Sequence, residues 1–324
     1  MAIEAEIVVL DKTDLVILST LARDCRTSYS KIGLEVGLTP KSVKARVKKM
    51  LRYGVIEKFV VRINPAVFGF MIAIVLIKTS NGITKDDIIQ RVKKMGDLAY
   101  HVYHMGRTCV AAIIIEKSLD EDFIKSLNYC LKPATVVSIT ILESHPFPIN
   151  ISETDLRIIK CLVSLGARTE ISDIARQVAI SEKTTTRRLI RMKEAKILDF
   201  SVQCSPSVMT GYIQFAIPII TTKPYRLSVC ERMYSEFQAN ILYSPSVIDS
   251  VDRLTFVLFG ENVFTVDSIL NRVSSFEGVK SADVYILTKW QYHDDWIMNE
   301  INNRILIPVQ PHLHKTIKTS NTIV

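Results

Sequence analysis

The sequence predicts an α+β chain that consists of two similar halves in tandem. The stretch Thr39–Arg52 recurs about 142 residues later as Ser181–Glu194, and the segments on either side recur in the same order. In each half, a region of helical periodicity precedes a region of alternating, strand-like periodicity. Each half has roughly 145 residues, which is enough for one or two small domains with their own cores. We therefore interpret the chain as a tandem duplication.

Three short helices are expected at the start of each half. In the first half, apolar residues spaced three and four apart predict a helix over Lys12–Arg23, with Asp11 or Thr13 as its N-cap. A second helix is expected over Ser28–Val36, and Gly37 should end it.

The third helix is expected to begin at Thr39, with Pro40 at the first helical position, where a missing N–H costs nothing. It keeps one apolar stripe for its own domain and presents cations and short polar side chains on the other side. The stripe consists of Val43, Val47, Met50 and Leu51, and the outward residues are Lys41, Ser42, Lys44, Ala45, Lys48 and Lys49. This order of helices is typical of a helix-turn-helix unit, whose last helix enters the major groove of DNA.

After the third helix, Val55–Arg62 alternates and is rich in branched residues, which predicts a strand or wing. The rest of each half follows the β-α-β-β-α-β order of a ferredoxin-like module. The expected elements are Phe70–Thr79, Thr84–Lys94, Leu98–His104, Thr108–Glu116, Leu119–Leu131 and Thr135–Leu142 in the first half, and Tyr212–Thr221, Arg226–Phe237, Ile241–Ser250, Leu254–Phe259, Val263–Phe276 and Val279–Leu287 in the second. One face of such a sheet carries no helices, and the apolar strands indicate that this face packs on another module.

The predicted architecture is thus two winged helix-turn-helix domains alternating with two ferredoxin-like domains in one chain. The helix-turn-helix domains are expected at residues 1–64 and 147–205, the ferredoxin-like domains at 65–146 and 206–289, and a C-terminal extension at 290–324. A linker near residues 144–148 should set the spacing of the halves. In the extension, aromatic residues bracket a helix expected over Asp294–Ile305, which could dock on the body or on another subunit, and the polar tail after it is expected to be poorly ordered.

Composition favours a protein of a reducing compartment that meets polyanions. The formal net charge is +8, and six basic residues with no acid lie between Lys41 and Arg52. The six cysteines form no close C-x-x-C pair and mostly lie in apolar strings, so free, buried thiols are expected. The N-terminal residues lack the pattern of a signal peptide, and the longest apolar string is shorter than the roughly 20 residues that span a bilayer. A cytoplasmic protein that does not span a membrane is predicted.

One set of motif residues recurs in both halves. It consists of Leu10, Asp11, Asp14, Ile32, Gly33, Leu38, Thr39, Val43, Arg46, Val47, Met50, Gly54, Val55 and Ile56 in the first half, and of Asp155, Ile174, Ala175, Ile180, Ser181, Arg188, Leu189, Met192, Ile197 and Leu198 in the second. With these residues the chain resembles the leucine-responsive and asparagine-regulator (Lrp/AsnC) family of transcription regulators over roughly residues 10–288. The resemblance implies a sequence-specific partner of double-stranded DNA with ligand-sensing ferredoxin-like domains that form homo-oligomers, and it implies neither catalysis nor a cofactor.

The chain also departs from that family's pattern. The usual family chain is a single unit that dimerises, whereas this chain carries both units covalently. The two third helices differ at three equivalent pairs, namely Lys44 and Thr186, Ala45 and Arg187, and Lys48 and Ile190, so an asymmetric DNA target is expected. The family's Gly-x-x-Asp turn, near its site for amino-acid effectors, is absent from residues 104–107 and 249–253. Whether a small-molecule effector binds therefore stays open.

The predicted DNA-facing set lies on the two third helices. It consists of Lys41, Ser42, Lys44, Arg46 and Lys48 in the first half, and of Lys183, Thr184, Thr186, Arg187, Arg188 and Arg191 in the second. Most of the lysines should contact phosphates, which gives affinity without sequence information. Two alternatives stand beside this interpretation. A charge run on a helix is often only a solvated face, and Arg46 and Arg188 could hold their helices by internal salt bridges.

Two other functions stay open on the sequence alone. Some proteins of the same two-part fold decarboxylate siroheme, although a cationic third helix has little use in such an enzyme. Its candidate residues would be His101, His104, Arg107, His145 and Arg253. No metal site is predicted, because His101 and His104 lie three apart on a strand and point to opposite faces, and His312 and His314 fall in the polar tail. The chain could also be an interaction protein whose helix-turn-helix units do not bind DNA.

Overall fold

A computed structural model of the chain describes residues 8–115, 121–142, 151–243 and 253–306. The expected linker near residues 144–148, His145, the start of the 249–253 turn and the tail with His312 and His314 lie outside the described residues. In the described part, both halves follow the predicted order of three helices, a strand and a β-α-β-β-α-β module.

The first helix-turn-helix unit forms as the sequence predicts. Asp11 caps its first helix in a capping box with Asp14, and Thr39 caps the third, with Pro40 at the first position. Gly37 ends the second helix in the left-handed conformation, at φ 68°, which a side chain would disfavour. The elements are β1 (Val8–Val9), α1 (Lys12–Arg23), α2 (Tyr29–Val36), α3 (Pro40–Arg52) and β2 (Ile56–Ile63).

The first ferredoxin-like sheet has the strand order β4-β5-β3-β6, with antiparallel neighbours. Two helices cover one face of this sheet, and a buried cluster that includes Ile77, Ile88 and Leu127 lies between them and the strands. Its elements are β3 (Met71–Lys78), α4 (Lys85–Val92), β4 (Leu98–His104), β5 (Thr108–Ile115), α5 (Glu121–Leu131) and β6 (Thr135–Leu142).

The second half repeats this arrangement around its own helix-side cluster, which includes Phe215, Phe256 and Val229. A short parallel pairing of β1 with β8 ties the start of the first half to the second. The elements are α6 (Glu153–Leu165), α7 (Ile171–Val178), α8 (Glu182–Glu194), β7 (Leu198–Cys204), β8 (Met209–Thr210), β9 (Ile213–Thr221), α9 (Arg226–Phe237), β10 (Ile241–Tyr243), β11 (Arg253–Gly260), α10 (Val263–Ser274), β12 (Val279–Ala282), β13 (Tyr285–Tyr292) and α11 (Asp295–Leu306).

The last strand of the second module departs from the prediction. A single strand over Val279–Leu287 was expected, but the chain forms β12 and then a separate β13 that continues to Tyr292. The expected end at Leu287 was wrong because the extended segment goes on to bury aromatic rings, and Trp290 stacks on Tyr100 with ring centroids 5.8 Å apart. β13 pairs first with β9 and then with β4, so in the described part of the chain it joins the two sheets into one of nine strands.

The two halves are also joined through the strand that follows each third helix. β2 pairs in antiparallel fashion with β7, with Val60 opposite Ser201, so each strand lies beside its counterpart from the other half. The helix-free faces of the two sheets meet, since Arg253 on β11 donates to the hydroxyl of Thr140 on β6 at 2.9 Å and residues of both faces line one cavity. This confirms the expected packing of those faces.

The C-terminal extension docks on the body of its own chain. Trp296 on α11 is 4 % exposed and meets Phe68 edge-on, with ring centroids 6.0 Å apart. Lys160 on α6 donates to the side-chain oxygen of Asn302 at 2.8 Å. Of the two expected docking places for this helix, the structure therefore shows the body.

Candidate nucleic-acid interface

Arg46 anchors α3 to the N-terminal end of α1. Its Nη1 donates to Oδ2 of Asp11 at 2.7 Å and to Oδ1 of Asp14 at 2.8 Å. The same carboxylates form the capping box of α1, so one group of atoms fixes both the start of α1 and the orientation of α3. Burial would raise the pKa of Asp11, but the hydrogen bond from Arg46 outweighs it, and the pKa lies below its usual value.

The second half contains the same arrangement, with one more arginine. We call this arrangement the lock: an arginine of the third helix is bound to the carboxylate that caps the first helix of its unit. Nη1 of Arg188 donates to Oδ1 of Asp155 at 2.9 Å and to Oγ of Ser152 at 3.0 Å. Arg191 donates to Oδ2 of Asp155 at 2.5 Å. Asp155 is fully buried, which by itself would raise its pKa, but the hydrogen bonds from Ser152 and Arg188 and the charge of Arg191 lower it below the usual value. The carboxylate therefore stays ionised and holds α8 against α6.

Three arginines of the predicted DNA-facing set are thus paired with internal carboxylates. The salt-bridge alternative describes Arg46 and Arg188, and Arg191 shares their role although no sequence signal pointed to it. We assign these three side chains to positioning the third helices.

The other predicted cations lie exposed on the outer sides of α3 and α8. Among the described residues, no hydrogen bond or ion pair holds the side chains of Lys41, Lys44, Lys48, Lys183, Thr186 or Arg187. Lys49 is exposed and unpaired in the same sense, and the predicted set omitted it. Ser42 and Thr184 are partly buried, and each hydroxyl lies 2.9 Å from the hydroxyl of its helix N-cap. Leu51, expected in the apolar stripe, is 37 % exposed, whereas the rest of the stripe is buried.

Two arginines at equivalent positions connect the helix-turn-helix units to each other. Arg26, between α1 and α2, donates to the carbonyl oxygens of Ala167 at 2.7 Å and Thr169 at 2.9 Å. Arg168, between α6 and α7, donates in return to the carbonyl oxygens of Cys25 and Thr27. Sequence reasoning missed this pair, although both arginines occupy the same place in the repeat, 142 residues apart.

Further contacts hold the same junction. The guanidinium of Arg168 lies over the ring of Tyr29, 4.5 Å from its centroid. Across the β2–β7 ribbon, Arg62 donates to both carboxylate oxygens of Asp199, at 2.6 and 2.8 Å. The two third helices are therefore presented by one joined scaffold that both halves build.

Of the candidate residues of the alternative enzyme that the structure describes, two line one cavity and two lie outside it. His104 and Arg253 line a cavity of about 320 Å³ between the two sheets. His101 points to the other face of β4, as strand alternation predicts, and its Nδ1 lies 2.8 Å from Nε2 of His293. Arg107 is exposed at the turn after β4. Burial lowers the pKa of His101 to about 3 and that of His104 to about 4, so both rings are neutral near pH 7.

Two general features of the described residues complete the site. No group of three or more His, Cys, Asp or Glu side chains among them could hold a metal ion. Every helix in the described ranges is too short or too polar to cross a membrane.

Comparison with known proteins relates this geometry to a family. The family model of the AsnC-type helix-turn-helix domain matches residues 10–51, which contain α1, α2 and α3. The HTH-type transcriptional regulator Ptr1 of Methanocaldococcus jannaschii is 30% identical over 114 residues, which are 34% of this chain and 75% of that protein. The chain belongs to the Lrp/AsnC family.

Other similarities are shorter or more distant. An uncharacterized HTH-type transcriptional regulator of Pyrococcus furiosus is 45% identical over 67 residues, which are 21% of this Lrp/AsnC chain and only 45% of that protein's length. In the crystal structure of the siroheme decarboxylase NirDL, the match covers 91% of this chain and 99% of the other, with 13% identity and a TM-score of 0.47. A likeness at that level carries no argument about activity.

Proposed function

We propose that this Lrp/AsnC chain is a sequence-specific, double-stranded-DNA-binding regulator of transcription that uses both third helices on one duplex. The observation that carries the proposal is the lock found twice. In each half, an arginine of the third helix pairs with the capping carboxylate of the first helix, and cations stand exposed on the helix's other side.

The physical argument rests on the placement of charge. A helix that enters the major groove needs one face fixed on its own domain and long cationic or hydroxyl side chains on the other. If the basic residues were only a solvated face, nothing would favour leaving Lys41, Lys44, Lys48 and Lys49 together without an acid on α3. Their mutual repulsion is relieved when phosphates neutralise them. The proposal uses the joined scaffold to bring both helices to the same duplex.

The proposal extends to assembly, regulation and location. We expect homo-oligomers of this cytoplasmic chain that form through the ferredoxin-like domains. Because the helix-free sheet faces already meet within one chain, the contacts between chains should use the outer helices, where Leu227 is 71% exposed and Phe264 is 80% exposed. Sedimentation or light scattering tests this, since replacement of both residues by Ser should reduce the assembly. Ligand screening tests whether a small-molecule effector binds.

Selection of bound DNA from a random pool at two salt concentrations tests the proposal. The unaltered chain should enrich a bipartite, asymmetric motif. A double variant, Lys41→Glu with Lys44→Glu, should lose one half of the motif, and Arg187→Glu should lose the other. A matched control, Lys94→Glu with Lys223→Glu, changes the net charge equally but on exposed lysines of the ferredoxin-like domains, and it should keep both halves. Recovery of unenriched DNA by the unaltered chain would reject the proposal.

The salt response gives an independent number. Arg52 lies over the ring of Tyr53. Apart from it, six exposed cations on the two helices have no acidic partner among the described residues, namely Lys41, Lys44, Lys48, Lys49, Lys183 and Arg187. If each neutralises one phosphate, the affinity should fall about 10³-fold between 50 and 200 mM salt. A nearly unchanged affinity over this range of salt would show that these side chains do not contact the phosphate backbone of DNA.

A further inference from the structure

The two third helices differ in how many of their cations are available. On α3, Lys44, Lys48 and Lys49 are exposed, and no acid within the described ranges pairs with them. Their equivalents on α8 are an uncharged Thr186, an apolar Ile190, and Arg191, which Asp155 holds at 2.5 Å. Both helices keep an exposed lysine near their start, at 41 and 183. α3 therefore offers more unpaired positive charge than α8.

Acidic residues increase this difference. α8 begins at Glu182 and ends at Glu194, and both side chains are exposed. At the equivalent places α3 has Pro40 and Arg52. The negative charge at both ends of α8 weakens its attraction to phosphates, whereas α3 has no acidic residue along its length.

Although α8 has fewer free cations, its exposed side chains are better suited than those of α3 to contacting specific bases. Lysine carries a compact charge on a flexible stem, which suits a phosphate in any sequence. Arg187 carries a planar fork that can donate twice to O6 and N7 of guanine, whereas its equivalent on α3 is Ala45. Ile190 is 52% exposed one turn further along α8, where an apolar side chain can contact the methyl group of thymine.

We infer that the two units divide the work unequally: the first mainly anchors the chain to phosphates and specifies the weaker half of the motif, and the second reads the bases strongly. Arg187 reads a guanine, and Ile190 reads a neighbouring thymine. This inference rests on the proposed function, because it assigns different roles to the two helices of one DNA-binding surface. The lock between Asp155 and its two arginines supports it, since a reading helix must be held more rigidly than an anchoring one.

Two variants of the full chain separate anchoring from reading. The first, Lys44→Ala with Lys48→Ala, should reduce the slope of log affinity against log salt by about 1.8, from two lost phosphate contacts, and should leave the selected base preferences unchanged. The second, Arg187→Lys, keeps the charge and so should keep the slope. It should reduce the preference for guanine at one position by up to roughly 150-fold, because lysine can still donate to the edge of guanine but lacks the planar fork that fixes both hydrogen bonds.

A graft provides the matched gain of function. Lys44→Thr with Ala45→Arg gives α3 the side chains that α8 has at these places, and it should strengthen the base preference in the half-site where that preference is weaker. Thermal unfolding of each variant, compared with the parent chain, confirms that the exposed changes leave the fold intact.

The outcomes are distinguishable. A motif whose two halves carry equal information, or an Arg187→Lys variant that keeps its full guanine preference, overturns the inference while the proposed function stands. Loss of base preference in the Lys44→Ala, Lys48→Ala variant overturns it in the same way. Absence of any DNA binding by the parent chain overturns the proposed function, and the inference with it.

Discussion

Replacement of Asp155 by Ala should loosen α8 more than the equivalent replacement of Asp14 loosens α3. The Asp155 carboxylate is fully buried and accepts hydrogen bonds from Ser152, Arg188 and Arg191. A hydrogen bond to a charged group contributes about 1.5 to 3 kcal/mol. The two arginine side chains are 25% and 43% exposed, so water solvates them once the carboxylate is gone. We therefore expect a local loss of about 2 to 4 kcal/mol, below the simple sum of the bonds.

The equivalent variant, Asp14→Ala, is the control. Asp14 is 6% exposed, and Arg46 keeps a second carboxylate, Asp11, at 2.7 Å. The expected loss is about 1 to 2 kcal/mol, since one strong acceptor remains. Hydrogen exchange of peptides from α1, α3, α6 and α8, followed by mass spectrometry, measures the local opening free energy of each unit. For Asp155→Ala, exchange in α6 and α8 should be about 30 to 900 times faster.

The pH dependence of the same variant follows from the direction of the pKa shift. The pKa of folded Asp155 lies below that of an unfolded Asp, near 3.9, so its stabilisation is fully present above that pH. It is lost as the pH falls through the folded pKa. The difference between parent and Asp155→Ala should therefore shrink below about pH 4. Equal effects of Asp155→Ala and Asp14→Ala, or a difference that persists unchanged in acid, would show that the lock does not work through this carboxylate.

Three further outcomes are expected. Arg168→Ala removes two hydrogen bonds to carbonyl oxygens of the other unit and the contact with the ring of Tyr29. The variant should therefore bind DNA probes with altered spacing between the half-sites nearly as well as the probe that the parent chain binds best. A preference for one spacing as sharp as the parent's would contradict this. Gly33→Ala should lower stability by about 1 to 3 kcal/mol in chemical denaturation, because the added Cβ collides with a backbone carbonyl oxygen, whereas Ala175→Gly at the equivalent place should cost only about 0.5 to 1 kcal/mol. In thiol titration of the native protein at pH 8, the two partly exposed thiols, Cys130 and Cys230, should react first, since burial holds the other four back. More than two fast thiols would show that the cores open readily.

Most of the fold could be predicted because the local signals and the final packing agree. The first helix was expected over Lys12–Arg23 and is found there, because its apolar spacing and its capping carboxylate both mark the same ends. The strand Thr135–Leu142 was also predicted with its observed ends. The end of the last strand was missed because the contact that stabilises the extension of β13 is made with Tyr100 in the other half. No local sequence pattern contains that contact.

The candidate site was predictable in its residue types but not in its connections. A sequence shows that Arg46 and Arg188 stand on basic helices, but only the packing shows that carboxylates of the first helices reach them. The repeat contained a usable signal, since Asp14 and Asp155 recur in register with those arginines. Arg26 and Arg168 recur in the same way, and they could have been identified as a pair before their partners were known.

The strand shared by both sheets has a consequence for how such a protein can change over generations. A regulator assembled from identical copies shows every altered residue twice, so a change in its reading helix disturbs both sides of its target together. Here β13 joins two unlike halves within one chain, so a substitution in one half leaves the other half unchanged. Under the proposed function, one third helix can change toward a new target sequence while the other keeps the old one, and new specificity can arise one half-site at a time.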